Sequence, residues 1–518
     1  MTRAVAELGL GLAPARAARP IRPGERIHVI GIAGAGASAA ALHAASQGAI
    51  VTGCDSGGPS PYSAAVEAVG IPIAWSHHAS HVADRPRPDR LAVTKALTAV
   101  APDHPELRAA AALGIPAEPW QQVVADAAFG RRLLAIAGTH GKSTTAGWLT
   151  WLLAETGSDP GAFVGALLPA ALSGGFPATA RLGRGAPFVV EADEYAGNFD
   201  AYRPDVVGLT TIEWDHPDVF EDRGAVVREI ERWLTAVPEA TLVANLDDPG
   251  NVELLGRLQE AGQHRGPVIG VSLGGSGRGN DDEAPQALAL DGRLSGAIVE
   301  RTPEETIIEL ADLGPVPQRA RLRVPGDHNA ADALVALATA RAGIEPGAGV
   351  TVDRLVWALS TFPGIGRRLE RKGEAKGVAV YDDYGHHPTA IRATLAALRQ
   401  RQPDRRIWAV YEPLTFHRTA AMLGEFADAL ADADAVAIAD IWAGRDLDTT
   451  VTSAEALAAG VRARRPGIPA RATGSVEATA AWLAGHVREG DAVLVMGGGR
   501  SYRIAELLLV ALEDRRRS

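Results

Sequence analysis

Residues 132–153 constrain this chain more than any other stretch. Arg132–Ala137 (RLLAIA) is an apolar, strand-like run, Thr144–Leu153 has helical periodicity, and between them stands Gly138-Thr-His-Gly-Lys-Ser-Thr-Thr145. A glycine turn between strand and helix lets backbone N–H groups approach phosphate oxygens, and the helix N-terminus adds a favourable dipole. Lys142 is placed to neutralise β/γ-phosphate charge, and the Ser143 hydroxyl to bind Mg²⁺. The general phosphate-loop pattern has a glycine five positions before Gly141, where this chain has Ile136, so the motif is a shortened form, GTxGK(S/T)T. Gly138, Thr139, His140, Gly141, Lys142, Ser143 and Thr144 are therefore the candidate contacts for ATP. Of the 51 basic residues only four are lysine, Lys95, Lys142, Lys372 and Lys376. In a chain that otherwise writes arginine, a lysine kept in a phosphate loop is informative.

The same alternation recurs on both sides. Arg26–Gly31, a small-residue helix at Ala35–Gln47 and Ala49–Gly53 read as a βαβ start, with another strand at Leu91–Thr94. Strands are expected at Pro187–Ala192, Val206–Thr211 and Thr241–Ala244, and a loop or hairpin tip at the polar, Gly-rich Gly274–Pro285. A third alternation has strands at Val378–Tyr381, Ile407–Tyr411, Ala435–Ala439 and Ala492–Met496. With 518 residues and roughly 100–200 per domain, three consecutive α/β domains are expected. The expected bounds are a flexible tail at 1–24, then domains at 25–127, 128–364 and 365–518.

Composition excludes several classes. Acids exceed bases, 62 against 51, which argues against a nucleic-acid partner. The single cysteine, Cys54, excludes an internal disulfide framework and any multi-Cys metal site. No apolar run approaches the ~18 residues a membrane helix needs, and Glu7 with repeated Gly, Pro and Arg breaks any signal-like core. A cytoplasmic protein without a membrane partner is expected.

Two acidic clusters close strands downstream of the phosphate loop, Val190-Glu-Ala-Asp-Glu194 and Glu213-Trp-Asp-His216. Ligands of open α/β sheets bind beyond the carboxyl ends of the strands. Both clusters are thus expected to face the loop's crevice, with Ser143, Glu191 and His216 as the Mg²⁺ ligands. The first turn, Gly31-Ile-Ala-Gly-Ala-Gly36-Ala-Ser38, is spaced GxxGxG, unlike the dinucleotide GxGxxG, and Asp55 ends the next strand where a carboxylate meets a ribose hydroxyl. It points to a nucleotide diphosphate without specifying NAD. An NAD(P)-dependent oxidoreductase is the competing class, and it leaves the phosphate loop unexplained. The third unit carries Phe362-Pro-Gly-Ile-Gly-Arg-Arg368, Tyr381-Asp-Asp-Tyr-Gly-His-His-Pro388 and Glu412-Pro-Leu-Thr-Phe-His-Arg418. Arg367, Arg368 and Arg418 suit anionic groups, because the guanidinium fork binds phosphate or carboxylate bidentately.

In this order and spacing the motifs resemble the Mur ligase family of peptidoglycan synthesis, from about Ile27 to Leu509. GTHGKSTT resembles its ATP loop, EADE and IEWDH its magnesium segments, PGDHNAADALVA its adenine-side helix, and FPGIGRRLE with YDDYGHHPTAI the opening of its C-terminal domain. The resemblance implies a Rossmann-like N-terminal domain for a UDP-sugar, a central P-loop ATPase-like parallel sheet for ATP, and a Rossmann-like C-terminal domain for the incoming amino acid. It implies an ATP-dependent amide ligase: a carboxylate attacks the γ-phosphate, and an amine then displaces phosphate from the acyl phosphate through a tetrahedral intermediate. Carried onto this chain, it makes Lys142, His216, Arg368, His386 and Arg418 catalytic and adds Asn329, Arg368 and Asp383 to the ATP contacts. Gly31, Gly34, Gly36, Ser38 and Asp55 become the UDP-sugar contacts.

Some family members hold a second magnesium on a carbamylated lysine. No lysine lies between Lys142 and Lys372, which fits the two branches acting on UDP-N-acetylmuramate, one with L-alanine and one with the tripeptide L-alanyl-γ-D-glutamyl-meso-diaminopimelate. EADEYAGNF, IEWDHPDVFED and ALGIPAEPWQQVV are more similar to the tripeptide branch. DDYGHHP, EPLTFHRT, ADIWAGRD and VLVMGGGRSY are more similar to the L-alanine branch, and carry more weight because the C-terminal domain presents the acceptor. Leu414 stands where that branch usually has a histidine, and Ala33 and Ala37 where it has Gly and Met. A monomer or homodimer is implied.

Overall fold

The computed structural model describes residues 8–101, 103–274, 288–345, 347–444, 446 and 448–514. Strands Arg26–Ile30 (β1), Ile50–Cys54 (β2), Ile73–Ala74 (β3), Arg90–Val93 (β4) and Ala117–Pro119 (β5) form an all-parallel sheet in the order β3-β2-β1-β4-β5. A doubly wound order that reverses beside β1 opens a crevice at its carboxyl end, where the Gly31 turn lies.

The central sheet has ten strands: Arg132–Ala137 (β6), Gly161–Leu168 (β7), Ala178–Leu182 (β8), Pro187–Glu191 (β9), Val206–Leu209 (β10), Thr241–Asn245 (β11), Val268–Gly274 (β12), Gly292–Arg301 (β13), Thr306–Leu310 (β14) and Gln318–Leu322 (β15). Their order is β15-β14-β13-β12-β11-β10-β6-β9-β7-β8, parallel from β13 to β7, with antiparallel β14, β15 and β8 at the edges. The phosphate-loop strand β6 sits between β10 and β9, whose ends carry the two acidic clusters. The Gly274–Pro285 segment lies outside the described residues except for Gly274. Its flanks β12 and β13 pair in parallel, so these two strands do not form a hairpin.

The third sheet joins Glu370–Ala375 (β16), Val378–Asp383 (β17), Arg406–Glu412 (β18), Ala435–Ala439 (β19), Ala470–Gly474 (β20) and Asp491–Gly497 (β21) in the order β16-β17-β21-β18-β19-β20, antiparallel only at β16. Helices Lys142–Glu155 and Asp327–Gly343 are buried along most of their length in one core against the central sheet. Trp148 stacks on Phe362 with ring centroids 4.6 Å apart, and a Cβ on Gly147 would lie 2.7 Å from Ile365. The connector to the third domain is thus anchored on the phosphate-loop helix as far as Ile365. Among the described residues no helix is long and apolar enough to cross a membrane.

The expectation of a flexible tail is corrected for residues 8–24, which pack on the first domain. Three nearly sealed carboxylates, Glu25, Glu118 and Asp126, meet three arginines. Arg16 pairs with Glu118 and Asp126, both at 2.8 Å, Arg19 with Glu25 at 2.6 Å, and the buried Arg90 with all three acids at 2.6–3.0 Å. Two of the neutralising charges therefore come from the segment read as a tail. Breaking a buried pair while leaving its partner costs about 3–5 kcal/mol. Removing residues 1–19 should lower the unfolding free energy by an amount of that order, read as a lower denaturant midpoint, and an unchanged unfolding curve would refute the strap.

Candidate active site

The carboxyl ends of β1, β6, β9, β10, β17 and β18 converge on one cavity of about 1560 Å³, lined by residues of all three domains. The phosphate loop forms its floor. Gly141 has φ +79°, and a Cβ there would lie 2.3 Å from Asp332; Gly138 has φ +126°, with Thr210 Oγ1 2.4 Å from a Cβ. Only glycine fits either position. The Lys142 ammonium donates to the Gly138 carbonyl at 2.6 Å and to Glu194 Oε2 at 2.9 Å, and lies 3.6 Å from Asp193. Burial alone would lower its pKa, but Glu194 and Asp193 hold it above the usual lysine value. Burial pushes the Glu194 carboxyl up, against the pull of Lys142. The loop cation is thus retained and stored against acids.

Ser143 links two domains. Its hydroxyl donates to Glu191 Oε1 at 3.0 Å and accepts from Arg368 Nη2 of the third domain at 2.8 Å. Glu191 also accepts from the Gly165 N–H at 2.6 Å. A second bridge is buried: Arg418 pairs with Asp215 Oδ1 at 2.7 Å and reaches His216 Nδ1 at 3.0 Å. Burial would raise the Asp215 pKa, but Arg418 and His216 hold it far below the usual carboxylate range. The ligand atoms of Asp193, Glu194 and His216 lie within 4.8 Å of one another. With Ser143 and Glu191 on the same cavity, the donor set is mainly oxygen, which suits a hard cation such as Mg²⁺. Asp193 and Glu194 thus stand closer to His216 than the sequence reading, which chose Glu191, anticipated.

The two adjacent histidines have different tautomers by partner. His386 Nδ1 lies 3.0 Å from the Tyr384 carbonyl, so it donates, leaving Nε2 as the acceptor. Burial and Arg418 press its pKa well below the ordinary value, so the ring is neutral. His387 Nε2 donates to the Trp214 carbonyl at 3.1 Å across the domain boundary, while Nδ1 accepts from the Thr389 N–H and caps the helix Pro388–Arg401. Glu213 joins the same junction, accepting from Thr389 Oγ1 at 2.8 Å and lying 3.1 Å from His140.

Lys142, His216, Arg368, His386 and Arg418 all line the cavity, as do Thr139, His140, Gly141 and Ser143, and Gly31, Gly34, Gly36 and Asp55 on the first domain. Five expected contacts, Ser38, Gly138, Thr144, Asn329 and Asp383, do not line it in this arrangement. Ser38 is sealed against Thr179 of the central domain at 3.0 Å. The Asn329 amide donates to the Pro325 carbonyl of its own helix start at 2.6 Å. The Asp383 carboxylate accepts the N–H groups of Leu369 and Gly385 at 2.7 and 2.6 Å. Gly36 owes its identity to packing, since a Cβ would lie 2.1 Å from the Trp120 indole; this accounts for the GxxGxG spacing without a dinucleotide. Sequence reasoning passed over Asp193, Asp215, Tyr62, Trp442 and Gly498–Arg500, which also line the cavity. The two aspartates lie inside the acidic motifs, and Trp442 and Gly498–Arg500 inside ADIWAGRD and VLVMGGGRSY, whereas Tyr62 carried no signal.

A phosphate loop facing acidic strand ends, with arginines from another domain over it, defines an ATP-dependent ligase built from three α/β domains. The chain belongs to the Mur ligase family: residues 26–132 match its catalytic domain, 136–340 its middle domain and 367–499 its glutamate ligase domain. It is 35% identical to the UDP-N-acetylmuramate–L-alanine ligase of Roseiflexus sp. (strain RS-1), over 94% of this chain and 99% of that one. With the enzyme of the same name from Kineococcus radiotolerans it shares 36% identity, over 95% and 97%. Its fold is similar to that of the UDP-N-acetylmuramate–alanine ligase of Thermotoga maritima (TM-score 0.73, 22% identity, 95% and 99% covered) and the murein peptide ligase of Psychrobacter arcticus (TM-score 0.68, 25% identity, 94% and 99% covered). The oxidoreductase alternative falls with this assignment.

The His387 contacts generate a pH prediction. Both ring nitrogens are used by the neutral tautomer, and a second proton would face the Thr389 N–H. Burial accordingly lowers the pKa from 6.5 to about 4. The unfolded chain binds that proton first, so stability is full above pH 6.5 and falls as pH drops toward 4. At about 1.4 kcal/mol per pKa unit, this window is worth on the order of 3 kcal/mol. His387→Asn should flatten the stability–pH slope in that window relative to the parent chain. An identical slope would contradict the assignment.

Proposed function

We propose that this chain joins L-alanine to the carboxylate of UDP-N-acetylmuramate, converting ATP to ADP and phosphate, in the cytoplasm where these substrates are held. Residues 25–127 take the UDP-sugar, 128–364 take ATP, and 365–518 take the amino acid and close the site. The observation that carries this reading is the Arg368–Ser143 contact, which puts a third-domain guanidinium directly on the phosphate loop. Relatives named for this reaction, alike over nearly the whole chain, support the choice of substrates.

In the proposed reaction the loop N–H groups and Lys142 hold the β/γ-phosphates, and Lys142 gives up its carboxylate partners to do so. Ser143, Glu191, Asp193, Glu194 and His216 would hold Mg²⁺, which supplies charge neutralisation at the phosphates when bound. The sugar carboxylate attacks the γ-phosphate, with Arg368 and Arg418 countering charge that grows in the transition state. The neutral His386 presents Nε2 as the acceptor for the proton that the incoming ammonium must lose before its nitrogen attacks the acyl phosphate. The acceptor side is lined by Leu414, Trp442, Gly444, Gly498 and Gly499, and a Cβ on Gly498 would already lie 3.2 Å from Leu414. This tight apolar corner suits a methyl side chain. The likeness to the murein peptide ligase favours a second reading, with the tripeptide as acceptor.

ADP release measured with UDP-N-acetylmuramate should depend on L-alanine. Release that needs the tripeptide would replace the first reading with the second. Lys142→Ala should stay folded with a lowered melting temperature, because the buried Glu194 loses its cation, and should lose about 10²–10³-fold in turnover, the cost of one transition-state donor. Arg368→Ala should lower kcat by about 10²-fold with little change in nucleotide affinity; normal turnover in either variant would reject the roles assigned.

A further inference from the structure

A second cluster of metal-ligating side chains lies beneath the Gly31 turn. His28 on β1, Cys54 at the end of β2, His81 on the helix Ser80–Ala83 and Glu106 on the helix Pro105–Leu113 come from four separate segments. One ligand atom from each lies within 4.8 Å of every other. His28, Cys54 and Glu106 are buried, and His81 is partly buried. Glu106 is the hub. Its carboxylate meets His28 Nε2 at 3.2 Å, His81 Nδ1 at 2.9 Å and Cys54 Sγ at 3.1 Å, and accepts the His78 N–H at 3.1 Å. His28 is oriented from behind, its Nδ1 2.8 Å from Thr52 Oγ1.

A metal-free explanation needs one imidazolium beside one carboxylate. The cluster holds far more: His77 Nδ1 stands 3.3 Å from Cys54 Sγ, and the His104 ring packs on His77 at 4.5 Å. His104 is 4% exposed, yet neither of its ring nitrogens finds a hydrogen-bond partner among the described residues. Four donors at 2.0–2.3 Å from a tetrahedral centre stand about 3.4 Å apart; here the three contacts to Glu106 are 2.9–3.2 Å and the remaining pairs lie within 4.8 Å.

We propose that His28, Cys54, His81 and Glu106 form a structural Zn²⁺ site in the N-terminal domain. A mixed set of thiolate, two imidazoles and a carboxylate is one that tetrahedral Zn²⁺ accepts, and four protein ligands leave no open position for catalysis. Charge supports it: thiolate and carboxylate neutralise Zn²⁺, so the filled site is a neutral group in a buried place. Because the sulfur ligates as thiolate, binding displaces the Cys54 proton to solvent. The site pins the cavity's edge, because the Cys54 carbonyl accepts the N–H of Gly31 at 2.9 Å and of Ile32 at 3.2 Å, and the next residue is Asp55.

The test uses the full chain and Zn²⁺ or Co²⁺ alone. Metal analysis should find one tightly held zinc per chain, and chelation should lower the melting temperature reversibly. Co²⁺ loading should give a thiolate-to-cobalt charge-transfer band in the near ultraviolet. Cys54→Ser should abolish that band, and His81→Asn, at a partly exposed ligand, should weaken Zn²⁺ binding more than about 100-fold, beyond what outer contacts to a metal cost. A parent chain with no tight zinc, no thiolate band and a melting temperature indifferent to Zn²⁺ would make the cluster a plain hydrogen-bond network. A zinc still tightly held after Cys54→Ser and His81→Asn together would place the metal outside this cluster. Either result overturns the proposal.

Discussion

Lys142 sits where two requirements meet. Under the proposed function the loop must present a cation to incoming phosphates, and the same loop must stay folded around that cation before they arrive. The chain meets both by parking the ammonium on Glu194, Asp193 and the Gly138 carbonyl. Those acids belong to the end of β9, the strand beside the loop's own strand, so the local charge is balanced within the central domain. The two left-handed glycines, the close approach of Asp332 and Thr210, and the position of β6 between β9 and β10 all serve to hold this arrangement.

The third domain brings charges of the opposite sign to the same place. Arg368 reaches Ser143, Arg418 reaches Asp215 and His216, and His387 reaches the Trp214 carbonyl. These contacts pair third-domain donors with acceptors of the two acidic motifs and the loop. Phe362 and Ile365 remain fixed on the phosphate-loop helix, and the Gly366 N–H is held by the Leu167 carbonyl at 2.8 Å. The part of the connector held by the central domain therefore ends at Gly366, and Arg367, with φ of +57°, is the first residue held by the third domain.

Local pattern carried most of the fold. Strands such as Arg132–Ala137 and Ala435–Ala439 are buried apolar runs, and the glycine loop with its flanking motifs is contiguous in sequence. What escaped was set by distance along the chain. Arg418 meets Asp215 from 203 residues away, and no spacing rule connects them. Ser38 looked like a ligand contact because it follows a glycine turn, but Thr179 of another domain covers it. The edge strands β8, β14 and β15 and the short β3 are held by neighbours more than by their own composition. The segment 8–24 read as a tail for the same reason: its arginines are ordinary until the acids they neutralise are brought beside them.

That strap has a consequence for how the chain is made. Arg16 waits for Asp126, 110 residues downstream, and synthesis runs from the N-terminus at about 5–20 residues per second. The first domain's base therefore stays open for several seconds after its opening residues leave the ribosome, and shuts only when the helix Trp120–Ala127 emerges. The domain is finished by its beginning, and its last helix has to be out before its first ordered segment has anywhere to go.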